Sequence, residues 1–569
     1  MTEPPLVEPD RRPPRRTLEG LVAGVSAAVV ALGVAELVAS LSASWRSPVL
    51  DVGDRVIDLV PSPVKELAID WFGTADKAAL LIGIGVLLTV YACVVGVVAL
   101  RGRHRLGMAG VAVFGLVGAL AALGSREDRP VTAVLPSLVG AVAGAASLRW
   151  LCLIADRDEP ATDSSPTRAE RGPVMSDQVM TVSGALTDRR GEPDEPDPTG
   201  RSDLLDRSVR PSAEPASRRA FLGASALLVV VGAAAATGGR WLGARFSAAA
   251  ARAQVVLPKA LRPLPPIPAA TSLDVEGISP LSTPNDDFYR IDTALTVPQV
   301  DPENWTLRID GMVERPLEMT YEQLLARDMI EADITLTCVS NEVGGSLVGN
   351  ARWLGVRLDE LLDEVGVSPR ADQVVGRSVD GYTCGFPVGA LDGRDALVAV
   401  AMNGEPLPVR HGFPARLVVP GLYGYVSATK WLRQIELTRF DAFDQYWVPR
   451  GWAVEGPIKT SSRIDTPKGL ARIPAGRTAV AGVAWAQTRG IDKVEVKVDD
   501  GPWQEAQLAE QLSEDSWRQW MLPWQARPGQ HTLTVRATDG TGAIQTAERS
   551  EPIPNGSSGL HQIVVMVDD

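Results

Sequence analysis

The chain has 569 residues and a formal net charge of −13, with 69 acidic and 56 basic side chains. This length predicts about three or four domains, and an acidic chain without a basic cluster in its C-terminal half argues against a nucleic-acid-binding surface. The four cysteines are too few and too scattered for a disulfide framework, and neither a CxxC pair nor a Cys/His cluster with zinc spacing occurs. Ala, Val, Leu and Gly dominate residues 18–154, which sets that region apart from the rest of the chain.

Four apolar runs in this region are long enough to cross a bilayer, which needs about 20 apolar residues. They are residues 21–41, 78–100, 106–123 and 131–154. Arginines precede the first run, separate the second from the third and follow the fourth, so the positive-inside rule places both ends of this bundle in the cytoplasm. We expect a four-helix transmembrane region over residues 18–154, after a cytoplasmic tail of residues 1–17.

Two polar residues bear on what the bundle does. Glu36 falls within the first run, where it is either a proton or ion site or, as we favour, a helix–helix contact or a position near a water-filled crevice. His104 is the only histidine in this half of the chain and falls in a loop. Because haem bound between spans needs axial histidines inside them, we expect no haem here and interpret the bundle as an anchor.

Residues 155–217 are rich in Asp, Glu, Arg, Pro, Ser and Thr, a composition that cannot bury a core, so we predict a disordered cytoplasmic linker. The following S-R-R-A-F-L at 217–222 resembles a twin-arginine export signal placed internally; the alternative is an ordinary span with a basic flank. In both cases a fifth span, residues 218–243, carries the rest of the chain to the outer face. Small residues at 247–253 would allow cleavage, but we expect the span to be retained.

The exported half begins with a spacer, residues 244–270, whose Pro- and Ala-rich sequence predicts a stiff connection away from the membrane. A mixed α+β domain is expected over residues 271–453, with strands and helices alternating through it. The predicted strands are 305–309, 374–379 and 416–419, and the predicted helices are 321–326 and 358–365.

Residues 454–569 change to an all-β pattern. Valines alternate with charged residues from 494 to 498, and similar alternation recurs at 533–537 and 563–567. Short alternating strands separated by Gly, Asp and Pro turns predict an immunoglobulin-like β-sandwich.

One cysteine in the α+β region stands at the end of a predicted strand. Ile334 and Leu336 alternate with threonines, which predicts a half-buried strand, and the strand delivers Cys338 into a Gly- and Asn-rich loop. A thiol facing a loop of this kind is a candidate metal ligand or nucleophile. From the residues alone, a buried structural thiol or a disulfide with Cys384 remains the more common interpretation.

Six motifs follow one another through the exported half: N-D-D-F-Y-R-I-D at 285–292, the Cys338 loop, A-R-W-L-G-V-R-L at 351–358, H-G-F-P-A-R-L-V-V-P-G at 411–421, Y-G-Y-V-S-A-T-K-W at 423–431 and P-I-K-T-S-S-R-I-D-T-P at 457–467. In this order and spacing they resemble the sulfite oxidase family of molybdenum enzymes, over residues 271–569. The resemblance implies a molybdopterin-binding domain, then a β-sandwich dimerisation domain, and the cofactor Mo-molybdopterin. With its apolar helices the chain is similar to membrane-anchored, actinobacterial-type members with an internal twin-arginine signal.

The resemblance also implies roles for individual residues. Cys338 becomes the protein's ligand to molybdenum, a role that suits a soft thiolate donor, and Cys384 becomes a buried thiol. Arg416 and Lys430 match positions that hold the pterin's phosphate. Further cofactor contacts are implied for Asp286, Tyr289, Arg290, Ser378, His411 and Thr429.

The pocket residues depart from those of sulfite-oxidising members, which surround the dianion with arginines. Val343 and Asp292 stand where the resemblance leads us to expect arginine, and a carboxylate repels a dianion. Trp452 aligns with an active-site tyrosine, Trp353 with a pocket aromatic, and Arg518 with an arginine that reaches the pocket. A neutral or organic S- or N-oxide is therefore favoured over sulfite.

The expected function is that of a membrane-anchored molybdenum-cofactor oxidoreductase that transfers an oxygen atom at the outer face of the cytoplasmic membrane. The sequence carries no cytochrome b5-like or c-type haem signature, so we expect a separate electron-transfer partner, a cytochrome or a quinone-linked protein. The sandwich would allow a homodimer. The alternatives are sulfite oxidation and a non-catalytic exported binding protein; Val343 and Asp292 favour the latter, and Cys338, Arg416 and Lys430 disfavour it.

Overall fold

The computed structural model describes residues 14–42, 44–60, 71, 76–124, 130–156, 214–243 and 247–569. Within these residues, five helices are long and apolar enough to cross a membrane, which confirms the five apolar runs of the sequence. They belong to α1 (Pro14–Ala39), α3 (Asp76–Leu100), α4 (His104–Leu123), α5 (Leu135–Asp156) and α6 (Glu214–Gly243). Most of the predicted linker, residues 157–213, lies outside the described residues. A short helix, α2 (Pro48–Leu59), stands between the first two spans.

Helix α1 forms the centre of the bundle, with α3, α5 and α6 packed against it. Glycines allow the backbones to approach closely, as is common for helices in lipid. A Cβ at Gly24 would lie 1.9 Å from the carbonyl oxygen of Ala92, and one at Gly33 would lie 2.1 Å from that of Gly232. The helices therefore pack this closely only because residues 24 and 33 are glycines.

The directions of the helices show which elements share each end of the bundle. Contacts of Gly24 with Ala92 and of Gly33 with Gly232 make α3 antiparallel and α6 parallel to α1. The starts of α1 and α6 and the end of α3 therefore share one end, where Arg16 donates to the Leu100 carbonyl (3.3 Å). The described residues after α6 contact the opposite end, where Lys77 donates to Asp292 Oδ1 (2.7 Å).

The α+β region contains two five-stranded sheets. In spatial order, the first comprises β2 (Leu317–Thr320), β1 (Thr306–Gly311), β10 (Leu432–Thr438), β5 (Gln373–Ser378) and β6 (Thr383–Pro387). The second comprises β3 (Ile330–Thr337), β4 (Val348–Arg357), β7 (Leu397–Met402) and β8 (Glu405–Pro406), with β9 (Arg416–Val418) also on β7. Three short helices accompany them: α8 (Tyr321–Leu325), α9 (Leu358–Val365) and α10 (Gly424–Ser427). The predicted strands and helices of this region are confirmed within a residue or two.

Strand β3 is buried on both faces, so the prediction of a half-buried strand was wrong. The hydroxyl of Thr335 donates to Asn350 Oδ1 (3.0 Å) and accepts from the Trp517 backbone N–H (2.8 Å). Gln487 donates to the Thr335 carbonyl from the same side (2.8 Å). The threonine face is thus covered by the C-terminal domain and satisfied by hydrogen bonds rather than by water.

The C-terminal region consists of two β-sheets with a shared apolar core that includes Val480, Trp520 and Val535. In spatial order, one sheet comprises β11 (Ser461–Thr466), β13 (Gly476–Trp485), β17 (Arg518–Ala526) and β16 (Gln507–Leu508). The other comprises β12 (Arg472–Pro474), β19 (His561–Asp568), β18 (Gly529–Asp539), β14 (Ile491–Val498) and β15 (Trp503–Glu505). A two-sheet β domain is present, and its immunoglobulin-like topology stays a prediction.

The segment predicted to be a spacer lies against the α+β domain instead. Helix α7 (Ala248–Gln254) opens it, and Arg252 of this helix donates to the Pro406 carbonyl (2.7 Å). The Leu261 N–H donates to the Met329 carbonyl (2.8 Å), beside β3. The prolines of this segment favour an extended backbone. The residues that it contacts are distant in sequence, so composition alone predicted a spacer without contacts to the domain.

Candidate active site

A pocket lies where the two sheets of the α+β domain meet, and it encloses about 730 Å³ including its opening to solvent. Aromatic and apolar side chains alternate with polar ones around it. The lining residues are Phe288, Tyr289, Ile291, Asp292, Thr293, Leu336, Cys338, Ser378, Asp380, Tyr382, His411, Arg416, Gly424, Tyr425, Ala428, Lys430, Trp431 and Trp447.

Cys338 enters the pocket directly from the end of β3. Its backbone N–H donates to the Leu347 carbonyl (2.9 Å), which closes the loop that follows the strand. The residue is 7% exposed, and burial raises the pKa of its thiol. Cys338 and Cys384 are both free thiols, so the disulfide alternative does not apply. A buried thiol of this kind becomes a thiolate most readily when a metal ion replaces its proton.

Arg416 supplies a buried positive charge at the start of β9. It is 5% exposed, and burial lowers the pKa of its guanidinium to about 10. One nitrogen donates to the His411 carbonyl (3.1 Å), and the guanidinium lies 5.1 Å from the ring centroid of Trp353. Among the residues that the structure describes, no carboxylate pairs with it. Because a buried cation without a counter-charge is costly, this arrangement fits an anionic ligand.

Lys430 brings a second cation to the pocket wall. Its ammonium donates to the Ile291 carbonyl (3.0 Å) and to Asp292 Oδ2 (3.1 Å). Burial lowers the pKa of Lys430 to about 8, although Asp292 acts in the opposite direction. Asp292 is itself a pocket residue; burial alone would raise its pKa, but Lys430 and other nearby cations lower it below the ordinary value.

His411 is a neutral hydrogen-bonding group in this pocket. Burial, followed by the charge of Arg416, lowers the pKa of His411 to about 3. Its Nε2 lies 3.0 Å from the Asn285 carbonyl oxygen, so Nε2 carries the proton and Nδ1 is an acceptor. Tyr289 and Ser378 also line the pocket, and their contacts with a cofactor stay a prediction.

Three predicted cofactor contacts lie outside the pocket lining. The side chain of Asp286 is 99% exposed and pairs with Arg410 (3.3 Å), so it points to solvent. Arg290 pairs with Asp292 from outside (3.3 Å). Thr429 is buried behind the wall, with its hydroxyl 2.7 Å from Cys384 Sγ. Motif spacing located the right loops, but it did not resolve which side chain of each loop turns inward.

The three residues predicted to complete the catalytic set need correction. Arg518 donates to the carbonyls of Ala509 (2.6 Å) and Ile491 (2.7 Å) inside the sandwich and does not reach the pocket. Trp353 is fully buried in the sheet, where its indole donates to the Ile334 carbonyl (3.1 Å), and it supports Arg416 from behind. The Trp452 ring contacts that of Trp447, with centroids 6.1 Å apart, and Trp447 lines the pocket whereas Trp452 does not.

Several pocket residues were missed by the sequence analysis. Tyr382 lies next to the loop after β5 and donates to the Tyr425 carbonyl (2.8 Å), while Asp380 and Trp447 complete that wall. The only signal for Tyr382 and Asp380 was their position just after a predicted strand end. Val343, expected near the site, lines a separate small polar cavity against the C-terminal domain.

The α+β domain matches one protein family and several known proteins. Residues 294–447 match the family described as the oxidoreductase molybdopterin binding domain. The chain is similar to the uncharacterized oxidoreductase YuiH of Bacillus subtilis (strain 168), at 34% identity over 156 residues, which cover 27% of this chain and 76% of that protein. It is also similar to the mitochondrial sulfite oxidase of Mus musculus, at 29% identity over 313 residues.

The match with the mouse protein covers 46% of this chain and 57% of that protein, so the chain spans little more than half the length of the sulfite oxidase. Among solved structures, the sulfane dehydrogenase SoxCD from Paracoccus pantotrophus aligns with a TM-score of 0.45 and 23% identity. That alignment covers 52% of this chain and 85% of the other.

Proposed function

Because the chain belongs to the sulfite oxidase family of molybdopterin-binding oxidoreductases, we propose that it is a membrane-anchored enzyme that transfers an oxygen atom to or from a small molecule. The family confirms the predicted class of enzyme and the predicted cofactor, Mo-molybdopterin. A non-catalytic binding protein, the weaker alternative, is therefore set aside. The substrate, the side of the membrane and the roles of individual residues belong to the proposal.

The observation that carries the proposal is the joint burial in one pocket of a free thiol and a guanidinium that has no carboxylate partner in the described part of the chain. Cys338 offers a soft donor to a metal, and Arg416 offers charge to a phosphate. A buried guanidinium without a counter-charge is costly, whereas a buried neutral thiol is not. A cofactor with a metal at one end and an anion at the other would bind the thiol and compensate the guanidinium. The donor set of the pocket therefore fits Mo-molybdopterin.

The residues divide the work of binding between them. Cys338 is the proposed metal ligand, while Arg416 and Lys430 are proposed to hold the phosphate. Tyr289, Ser378 and His411 supply neutral polar groups for the pterin. When bound, the molybdenum centre supplies a two-electron redox couple that accepts or releases an oxygen atom.

Conversion of an S- or N-oxide removes one oxygen as water and consumes two electrons and two protons; oxidation of a substrate by water is the reverse. The electrons are proposed to pass through a separate cytochrome or quinone-linked protein. A homodimer through the sandwich is compatible with this scheme. Both directions balance with the same pocket residues.

A neutral or organic oxide is the favoured substrate class. Of the residues that line the pocket, only Arg416 is an arginine, and nine are aromatic or aliphatic: Phe288, Tyr289, Ile291, Leu336, Tyr382, Tyr425, Ala428, Trp431 and Trp447. Asp292 adds a carboxylate, which disfavours a dianion. Sulfite remains the second candidate, supported by the similarity to the mouse sulfite oxidase and by the cationic partners of Asp292.

The outer face of the cytoplasmic membrane is the proposed location of the catalytic half. Arg16 and Arg101 lie at the end of the bundle opposite the catalytic half, as expected for the cytoplasmic end. The exposed Arg218 and Arg219, which belong to the proposed twin-arginine signal, begin α6 at that same end. An impermeant maleimide should label Asp156→Cys, at the arginine-rich end, only after cell lysis; labelling of intact cells would reverse the proposed orientation.

Metal analysis tests the proposed function. Full-length protein purified from a host that makes the cofactor should contain molybdenum in proportion to the chain, together with a pterin. A panel of sulfoxides, N-oxides and sulfite with artificial electron carriers then identifies the substrate class. Purified wild-type protein without molybdenum would contradict the proposal, and turnover of sulfite alone would replace the favoured substrate by the second.

A further inference from the structure

Residues 291–294 form a short segment that lies between the pocket and the membrane helices. Ile291, Asp292 and Thr293 line the pocket. On the pocket side, Lys430 donates to the Ile291 carbonyl and to Asp292. On the other side, the segment meets Lys77, the second residue of α3 and the first of the second span. One segment therefore contacts both the proposed cofactor site and the bundle.

Lys77 donates all of its hydrogen bonds to this segment. Its ammonium lies 2.7 Å from Asp292 Oδ1, 2.9 Å from the Asp292 carbonyl and 2.6 Å from the Ala294 carbonyl. An ammonium group has three protons, so each has an acceptor, and all three acceptors lie within three residues. The three hydrogen bonds fix the orientation of the ammonium group, which a solvent-exposed ion pair alone would not do.

The carboxylate of Asp292 is shared between cations from different parts of the chain. It is 5% exposed; Oδ1 accepts from Lys77, whereas Oδ2 accepts from Lys430 and faces Arg290. The group therefore joins the second span to the pocket wall. Because the carboxylate interacts with two lysines, it neutralises the positive charge of Lys430 only in part. The remaining charge of Lys430 is available to an anion in the pocket.

Helix α2 makes a second contact with the same region. A Cβ at Gly53 would lie 2.6 Å from Leu295 Cδ1, just after the segment. Further along the helix, Asp58 lies 3.7 Å from Arg450, three residues after the pocket-lining Trp447. The bundle thus docks beside the pocket at several points, and at one of them Lys77 binds a pocket residue directly.

We propose that Lys77 is a positioning residue of the cofactor site, which makes the membrane bundle a structural part of that site rather than an anchor alone. Lys77 fixes Asp292 and its segment, and through them holds the Lys430 ammonium where it meets the anionic end of the cofactor. Without Lys77, Asp292 would pair with Lys430 and Arg290, and the segment would lose three hydrogen bonds. The inference rests on the proposed function, because it assigns the anion to the molybdenum cofactor.

The test uses full-length protein in detergent. Lys77→Met removes the ammonium and keeps the length of the side chain, Lys77→Gln is a milder second variant, and Lys77→Arg restores the charge. Asp58→Asn is the matched control, because it weakens the same docking surface without touching residues 291–294. Two quantities are measured: the rate at which molybdenum is lost during dialysis, and hydrogen–deuterium exchange of the peptide that contains residues 290–295.

We expect Lys77→Met and Lys77→Gln to lose molybdenum about tenfold faster than wild type, the effect of losing one charged hydrogen bond. Exchange in the 290–295 peptide should rise in both variants. Lys77→Arg should restore much of the retention, and Asp58→Asn should match wild type. If wild type retains molybdenum and both neutral variants behave like Asp58→Asn, the inference is overturned. Wild type without molybdenum would instead overturn the proposed function.

Discussion

Two buried thiols in the catalytic half have different surroundings. Cys338 lines the pocket, whereas Cys384 is closed off beside Thr429, with 2.7 Å between its Sγ and the threonine hydroxyl. Burial raises the pKa of Cys384 to about 11. Both thiols resist ionisation, so access rather than intrinsic acidity selects Cys338 as the group that can meet a metal.

Cys338→Ser should lower turnover by about 100-fold or more, because a hydroxyl is a poor substitute for a soft thiolate donor. The melting temperature of the metal-free protein should change little, since the side chains are similar in size. Initial rates and thermal unfolding check the two halves of this prediction. Cys384→Ser is the control and should keep its activity; equal losses in both variants would point to a folding defect.

Replacing Arg416 should have a favourable effect on the metal-free protein and an unfavourable effect on the cofactor-loaded protein. Arg416→Met should stabilise the metal-free protein by about 1–3 kcal/mol, because it removes a buried charge without a counter-charge. In loaded protein the same change should weaken cofactor retention. Denaturant unfolding of both forms and molybdenum content provide the measurements, and a loss of stability in the metal-free protein would show that the guanidinium is already compensated.

Among the elements, the loop after β3 illustrates how the chain fixes Cys338. Asn341 Oδ1 accepts from the Leu347 N–H (2.8 Å), and Gly344 adopts φ +80° in the left-handed region. A Cβ at Gly344 would lie 2.2 Å from the His561 ring of β19. The loop is therefore clamped between its own hydrogen bonds and the sandwich.

Gly344→Ala should destabilise the protein by about 1–3 kcal/mol, through left-handed strain and the contact with His561. The control is Gly404→Ala, which has a φ of +79° and no atom within 4 Å of an added Cβ. It measures the strain alone. Equal changes in unfolding free energy for the two variants would mean that His561 gives way and does not clamp the loop.

How far the sequence predicted these elements depends on where their partners lie. Helix α9, residues 358–365, was predicted at its observed bounds because its pattern is local. The burial of Thr335 and the docking of the Pro-rich segment depend on Trp517 and Met329, which no local pattern indicates. Motifs located Cys338, Arg416 and Lys430 at the pocket. They could not place Arg518 and Trp353, because the direction of those two side chains is determined only by the assembled sheets.

For the whole molecule, the C-terminal sandwich, which packs its His561 ring against the loop at Gly344, should be less stable in acid. His561 Nδ1 accepts from the Ile464 N–H (3.0 Å), which requires that nitrogen to be unprotonated. Burial, followed by the charge of Arg463, lowers the pKa of His561 from 6.5 to about 4. The unfolded chain therefore binds the proton first as pH falls.

The stability that neutral His561 contributes should be complete above pH 6.5 and decrease as pH falls towards about 4. Unfolding free energies at several pH values check this. Comparison with His561→Gln isolates the residue from His411, whose pKa burial also lowers. Parallel pH profiles for wild type and His561→Gln would exclude this histidine as the cause.

The close approach of Gly33 to Gly232 has a consequence for the order of biogenesis. Helix α1 presents small residues to α6, which is the last of the five spans and packs parallel to α1. When the first four spans have inserted, the surface of α1 that contacts α6 is therefore still unoccupied. Helix α6, the fifth span, packs against this surface when the catalytic half is synthesised. Two separately synthesised polypeptides, divided between residues 157 and 213, should accordingly find each other in the membrane and co-purify.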